Sequence, residues 1–231
     1  MKKLITIFVL LATVLVAQGK WSAGAGASYL VPVGELKNRF SPGYAASVFF
    51  TKEVSHKWSW SGKIEYLVFD KLNEDKMFIN REYLIGTQEQ KFTYPIKSLK
   101  MDLKAYGASV QADYYLLREA WYETKINLGF GIYRWQFSRG SYADSLFAPD
   151  TAGVSKLQEN LTVPSLDQAD WSGTFNAGLE IGVQVIDPVW FSVSANYKNI
   201  LGELWSTLKL DFENVASMQM IELKANLRAR F

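Results

Sequence analysis

Two segments of the chain alternate between apolar and polar residues with a period of two. From 175 to 185 every odd position is apolar, and every even position is polar or glycine. The segment from 221 to 231 repeats the rule, with Leu227, Ala229 and Phe231 on the apolar face and Arg228 and Arg230 on the other. A period of two is typical of strands with two different faces and not of helices. Both segments are therefore predicted to be β-strands.

Six further stretches follow the pattern less strictly and bring the predicted number of strands to eight: Trp21 to Val31, Tyr44 to Lys52, Trp58 to Phe69, Ala105 to Leu116, Tyr122 to Phe137, and Val189 to Lys198. Their connections alternate in length. Short links at 53–57, 117–120 and 186–188 alternate with long ones at 32–43, 70–104, 138–170 and 199–220. Short turns at one rim and long loops at the other are typical of an all-β, eight-stranded antiparallel up-and-down barrel.

Such a barrel could be a soluble ligand carrier with its apolar face inside, or a transmembrane barrel with its apolar face outside. Glycines occur at the alternating positions that carry the polar residues (the polar parity), as at Gly26 and Gly178, and this placement suits a crowded interior. Tryptophans collect at strand ends, where a membrane girdle is expected. We predict that Trp21, Trp58, Trp60, Trp121 and Trp190 form it at the short-turn rim, and that Trp135 and Trp171 form it at the other. These features favour the transmembrane barrel.

The polar face would then fill the lumen. It carries both signs of charge, and the predicted polar network comprises Lys63, Glu65, Gln111, Asp113, Lys125, Glu180, Lys198, Glu222, Lys224, Arg228 and Arg230. Eight strands enclose an interior just wide enough for side chains to fill. Because an unpaired buried charge costs several kcal/mol, we expect these groups to pair across the lumen, with Glu180, Glu222, Lys125 and Arg228 in the network. A selective conduit is the alternative.

The first nineteen residues resemble a bacterial secretory signal, with Lys2 and Lys3 before an apolar run and small residues at Ala17 and Gly19 for cleavage. A short membrane anchor is the alternative, but about thirteen apolar residues are too few to span a bilayer. We predict a signal peptide at 1–19 and a barrel domain at 20–231. Without those lysines the 25 basic residues fall to 23, equal to the 23 acidic ones. A basic nucleic-acid surface is not indicated.

The architecture and the ending, from Ile221 to the terminal Phe231, resemble the small outer-membrane barrels of the OmpA and OmpX type. The resemblance implies that Phe231, Ala229 and Leu227 act as a signal for the barrel-assembly machinery. It also implies outer-membrane lipids around the barrel, both termini in the periplasm and long loops outside the cell. The stretches 94–116 and 175–196 further resemble the outer-membrane barrel domain of Bacteroidota-type bacteria.

Some barrels of this kind are enzymes, among them lipid A acyltransferases, lipid A deacylases and omptin proteases, and these use a histidine near the outer rim. The single histidine of this chain, His56, lies in a predicted short turn at the opposite rim. No phosphate loop, dinucleotide fingerprint or zinc motif is present. Loop carboxylates such as Asp150 and Asp170 could bind a divalent cation but are more often solvated. The sequence predicts no catalytic residues, no cofactor and no metal.

The long loops are where a specific role is expected. The 70–104 loop contains two part-apolar runs around 86–90, which predict a hairpin above the membrane. The loop aromatics either contact a partner or pack the loops together: Phe78, Tyr83, Phe92, Tyr94, Tyr142 and Phe147. The favoured interpretation is a non-enzymatic barrel with a structural or surface-binding role toward an extracellular ligand or envelope protein. Alternatives are a narrow solute channel, an accessory subunit of an export or assembly machine, and a lipid-modifying enzyme.

Overall fold

The computed structural model describes residues 20–231, so the predicted signal peptide at 1–19 lies outside them. Within 20–231 the chain forms twelve strands: β1 (Trp21–Pro32), β2 (Gly43–Glu53), β3 (Trp58–Phe69), β4 (Phe78–Ile85), β5 (Gln88–Pro95), β6 (Met101–Arg118), β7 (Tyr122–Arg139), β8 (Tyr142–Pro149), β9 (Ser155–Val163), β10 (Leu166–Ile186), β11 (Val189–Ile200) and β12 (Met218–Arg230). The helical segments of this range are single 3₁₀ turns, and no helix in it is long and apolar enough to cross a membrane.

Eight of the strands in 20–231 close into one antiparallel barrel, in the order β1-β12-β11-β10-β7-β6-β3-β2. The predicted eight-stranded barrel is therefore confirmed. The last strand pairs with the first, from Ser22 opposite Arg230 to Pro32 opposite Met220, so that no edge of the barrel sheet is left unpaired. Short turns and both ends of the described chain lie at one rim, which we call the turn rim. The long connections lie at the other, the loop rim.

The remaining strands form two hairpins on the loop rim. β4 pairs with β5, which is the hairpin predicted in the 70–104 loop. β8 pairs with β9 inside the stretch that the sequence presented as one long loop, 138–170. β10 also begins at Leu166, nine residues before the alternating segment at 175–185, and pairs with β7 from Arg139 onward. Its first residues were missed because their pattern of apolar and polar positions differs from that of the membrane part.

The two faces of the barrel wall exchange character along the barrel axis, as β7 shows. In β7 the inward side chains are first Glu123, Lys125 and Asn127, while the outward ones from Ile126 to Ile132 are apolar and exposed. Further along β7 the inward side chains become Tyr133, Trp135 and Phe137, and the outward ones become Arg134, Gln136 and Ser138. The alternation continues without a break.

The same inversion occurs in the neighbouring strands, with Leu67 and Phe69 inward at the top of β3 and Leu103 inward at the top of β6. An apolar exterior is stable against hydrocarbon, whereas a polar exterior over an apolar core is typical of a protein in water. The surrounding medium therefore changes from lipid to water partway along β6, β7 and β10.

Outward aromatic side chains bound the apolar belt. Four of the predicted girdle residues lie on the outward parity or in a turn at the turn rim: Trp21, Trp58, Trp60 and Trp121. The upper boundary is mostly tyrosine, with Trp171 among Tyr29, Tyr44, Tyr66 and Tyr106. Trp21 and Tyr29 are eight residues apart on one strand, or about 26 Å along it at 3.3 Å per residue. A tilt of about 40° makes the belt about 20 Å tall.

Two of the girdle predictions are wrong. Trp135 is only 3% exposed, and its Nε1 donates a hydrogen bond of 2.9 Å to Ser172 Oγ inside the barrel. Trp190 is 2% exposed, and the Arg230 guanidinium lies 3.9 Å from its ring centroid. Both residues sit at strand ends, which suggested a girdle position, but both share the parity of the inward polar residues. Parity, not position along the strand, decides which face a strand residue occupies.

Candidate functional site: a filled lumen and a braced cap

The upper part of the polar lumen is built around Lys198, which is 1% exposed. Its Nζ contacts Glu65 Oε1 and lies 3.1 Å from Glu222 Oε2. Glu65 also accepts a hydrogen bond from the Tyr133 hydroxyl at 3.1 Å and faces Lys63 Nζ at 3.4 Å. These residues come from four strands, so this tier ties opposite walls of the barrel together.

The middle tier is centred on Lys125. Its Nζ lies 3.4 Å from Asp113 Oδ2 and 3.3 Å from Glu180 Oε1, and all three side chains are buried. Asp113 also accepts hydrogen bonds from Gln111 Nε2 at 2.6 Å and from Ser61 Oγ at 3.1 Å. A fully buried lysine between two carboxylates is stable because charge pairing and hydrogen bonds offset the loss of hydration.

The lower tier closes the turn rim. Glu123 is fully buried and contacts both Arg228 and Arg230, while Glu53 contacts Arg118 and lies 3.6 Å from Arg230 Nε. Neither Glu123 nor Glu53 belongs to the network predicted from the sequence. Glu123 shares the odd parity of Lys125, two residues further along β7, so parity counting carried to the strand end would have found it.

The structure thus turns every side chain of the predicted network inward but distributes them over three tiers. Glu222 lies in the upper tier, Lys125 and Glu180 in the middle one, and Arg228 in the lower one. Lys224 faces the same lumen without an acidic partner within 4.0 Å among the described residues. The free space among the tiers is a cavity of about 30 Å³.

Above the polar tiers, an apolar plug fills the mouth of the barrel. The inward residues of β3, β6 and β7, such as Phe69, Leu103 and Phe137, meet buried side chains from four connections between the barrel strands: Leu36, Phe40, Met77, Ile79, Ile96, Leu99, Tyr142, Leu146, Leu161, Val163, Leu204, Leu210, Phe212 and Val215. Phe40 packs on Phe69 and Phe137, with ring centroids 5.9 and 6.3 Å apart. The plug is a small hydrophobic core of the kind found in water-soluble domains.

Two buried arginines hold the 201–217 loop over this plug. Arg39 Nη2 donates to the carbonyl oxygens of Trp205 at 2.9 Å and Glu213 at 2.6 Å, and its guanidinium lies over the rings of Phe137 and Phe212. Arg139 donates to Thr207 Oγ1 and to the Pro164 carbonyl. Burial, and then the nearby charge of Arg139, lower the pKa of Arg39 to about 10, so Arg39 remains cationic at neutral pH.

The two hairpins are braced against each other and against the 201–217 loop. Arg81 on β4 lies 3.2 Å from Glu159 on β9 and 3.1 Å from Asp211, and it also donates to the Lys209 carbonyl. The Tyr94 hydroxyl on β5 donates to the Phe147 carbonyl on β8 at 2.8 Å. We call the two hairpins together with the 33–42 and 201–217 loops the cap.

The loop aromatics divide between the two roles left open by the sequence. Tyr142 is buried in the plug, and Tyr83 packs on Phe92 with ring centroids 6.0 Å apart. Phe78 and Phe147 are exposed, and so are the apolar side chains of Leu84, Val154 and Leu157 near the hairpin ends. The cap therefore has a packed interior and apolar points on its outer surface.

His56 lies in the turn between β2 and β3 at the turn rim, and its carbonyl accepts a hydrogen bond from Arg118 Nη1 at 3.3 Å. Within residues 20–231, no group of three or more His, Cys, Asp or Glu side chains could hold a metal ion. At the chain end, Phe231 exchanges backbone hydrogen bonds with Trp21, and its ring packs on Phe50. Leu227 and Ala229 lie on the outward parity of β12.

No protein-family model matches the sequence, and neither does a characterised protein. Among solved structures, the Neisserial surface protein A aligns over 93% of this chain and 100% of its own, with 13% identity and a TM-score of 0.46. The attachment invasion locus protein Ail of Yersinia pestis aligns over 92% and 99%, with 14% identity and a TM-score of 0.45. A major outer membrane protein from Thermus thermophilus aligns over 92% and 99%, with 10% identity and a TM-score of 0.49. These values describe a general likeness in architecture and carry no conclusion about activity.

Proposed function

We propose that the protein is an integral outer-membrane barrel that conducts no solute and holds a rigid cap outside the cell for binding a partner. The observation that carries the proposal is the combination of a lumen closed by three charged tiers with a cap braced across both hairpins and the 201–217 loop. A binding surface made of pre-ordered loops loses little conformational entropy when it engages a partner.

The orientation proposed for the barrel follows from its topology. An even number of strands brings both ends of the barrel to the turn rim, and in outer-membrane barrels the short turns face the periplasm. The cap then faces the exterior, in agreement with the secretory signal predicted for 1–19. The proposed role is mechanical and adhesive, because His56, which the enzymatic alternative would need, lies at the rim opposite the cap.

The proposed contact surface is the outer end of the hairpins. Leu84 on β4, Phe147 on β8 and Leu157 on β9 are exposed on parts of the chain that stand beyond the apolar belt, so hydrocarbon does not cover them. Contiguous exposed apolar patches mark protein contact sites, and we propose that these side chains belong to one.

Photo-crosslinking in intact cells tests the binding role. A photoreactive residue at position 84 or 147 should give the same discrete adduct, whereas one at the lipid-facing position 223 should give none. The absence of any adduct at both cap positions would contradict the binding role. Planar-bilayer recordings of the purified protein test the closed lumen, and steady conductance steps would contradict it.

A further inference from the structure

The unpaired lysine of the lumen raises a question of charge balance. Within residues 20–231, the three tiers and Lys224 hold seven cationic groups, Lys63, Arg118, Lys125, Lys198, Lys224, Arg228 and Arg230, against six carboxylates, Glu53, Glu65, Asp113, Glu123, Glu180 and Glu222. Six of the seven cations have a carboxylate oxygen within 4.0 Å. Lys224 is the exception, so the count of charges and the set of contacts identify the same residue.

Lys224 is only 7% exposed, and among the described residues no carboxylate oxygen lies within 4.0 Å of its head group. Its Nζ lies 5.6 Å from the ring centroid of Phe49. The side chain runs over Gly26, where a Cβ would lie 2.6 Å from Lys224 Cε, so the glycine makes room for it. A buried ammonium without a counter-charge costs several kcal/mol, which is the reason to look for a missing partner.

The space beside Lys224 is the small cavity of about 30 Å³. Since a water-sized particle needs about 10–15 Å³ on this measure, one or two such particles fit. Three lysines line the cavity, Lys63, Lys125 and Lys224, and Glu180 is the one acidic residue of its lining. The other lining side chains are amides, hydroxyls and one ring: Gln111, Asn127, Asn196, Asn226, Thr51, Ser61, Ser194 and Phe49.

The amides of the cavity wall also lack partners. Within the described chain, the buried Oδ1 atoms of Asn127, Asn196 and Asn226 accept no hydrogen bond. The two ends of an asparagine amide are interchangeable by a half-turn. After that turn Asn196 accepts from the Ser194 hydroxyl, which now accepts from Asn196 Nδ2 at 3.1 Å, and Nδ2 takes the place of the unpartnered Oδ1. The amide groups of the wall can therefore serve as donors to a bound acceptor.

We propose that this cavity is a binding site for one small monovalent anion of the halide class, held by Lys224 and the neighbouring amide groups. One negative charge balances the seven cations and six carboxylates. The ligand is small, because only one or two water-sized particles fit. The site lies within the apolar belt and is separate from the cap.

The test compares unfolding of the folded, detergent-solubilised protein in sodium chloride, sodium bromide and sodium gluconate at equal ionic strength. Gluconate is too large for the cavity. The unfolding equilibrium constant of the wild type should be lower in the halides and should fall with halide concentration to about one-eleventh at ten times the Kd. Lys224→Met keeps the bulk of the side chain and removes the charge, so its stability should be the same in all three salts. Lys104→Met, at an exposed position outside the lumen, should keep the wild-type halide dependence.

Two results of the unfolding experiment would overturn the proposal. One is a wild-type stability that is equal in halide and gluconate. The other is a halide dependence that persists in Lys224→Met. A bromide-soaked crystal of the wild type provides a readout that does not depend on any variant. An anomalous peak within hydrogen-bonding distance of Lys224 Nζ supports the site, and a cavity without such a peak rejects it.

Discussion

Replacing Lys198 with methionine tests whether the upper tier is a true buried ion-pair network. Lys198 is the cation shared by Glu65 and Glu222, and all three side chains are at most 2% exposed. Lys198→Met leaves two carboxylates in a low-dielectric interior, with only Lys63 at 3.4 Å from Glu65. Removal of one partner from a buried pair costs about 3–5 kcal/mol. A loss of about 4 kcal/mol corresponds to a nearly thousandfold rise in the unfolding equilibrium constant.

A double variant separates the loss of pairing from the loss of packing. Lys198→Met combined with Glu222→Gln removes one charge of each sign and leaves Glu65 with Lys63, so we expect it to recover more than half of the loss. Urea unfolding in lipid vesicles, followed by the mobility of unheated samples on gels, measures both. Lys104→Met, which removes an exposed ion pair with Asp102 at 3.1 Å, is the matched control and should cost less than about 1 kcal/mol. A single variant as stable as this control, or a double variant no better than the single one, would show that Lys198 is not held in a stabilising ion-pair network.

Three further predictions concern the cap and the girdle. Arg81→Ala removes the contacts to both Glu159 and Asp211, so protease added to intact cells should cleave the hairpins faster, whereas unchanged cleavage would show that the brace is unimportant. Quenching of tryptophan fluorescence by brominated lipids should decrease in Trp171→Phe and stay unchanged in Trp135→Phe, because Trp171 faces lipid and Trp135 faces the plug. A decrease in Trp135→Phe alone would contradict this assignment of the two residues. Hydrogen bonds from Lys156 and from two backbone amides lower the pKa of the Asp150 carboxyl from 3.8 to about 2. The turn at 150–154 is therefore favoured above pH 3.8 and released as the pH falls through about 2. NMR titration of this carboxyl can check the shift, and titration near pH 4 would contradict it.

The alternation of apolar and polar residues was enough to predict the barrel, because each strand of the membrane part lies between hydrocarbon and a polar lumen. Trp58 to Phe69 matches the observed β3 at both ends. The same signal failed at the top of β10, where residues 166–174 do not alternate strictly and the polar side chains of Gln168 and Ser172 face inward. Trp135 and Trp190 were misplaced for a related reason, since the position of a residue near a strand end was given more weight than its parity.

The grouping of the lumen charges could not be predicted from the sequence. Parity shows that Glu65, Lys198 and Glu222 face inward, but β3 is not a neighbour of β11 or β12 in the barrel order. Their contact depends on the diameter and stagger of the closed barrel, which no local pattern encodes. The packing of the 201–217 loop by Arg39 and Arg139 depends in the same way on long-range geometry.

A cysteine scan along β7 tests the central claim, that the exterior of one continuous strand passes from lipid to water while its alternation continues. The sequence contains no cysteine, so each introduced thiol is the only one present. The protein is embedded in vesicles and treated with a membrane-impermeant maleimide. Gln136→Cys and Ser138→Cys should react rapidly, whereas Phe130→Cys, facing lipid, and Phe137→Cys, facing the plug, should remain unlabelled. Rapid labelling at position 130, or protection at 136 and 138, would contradict the account.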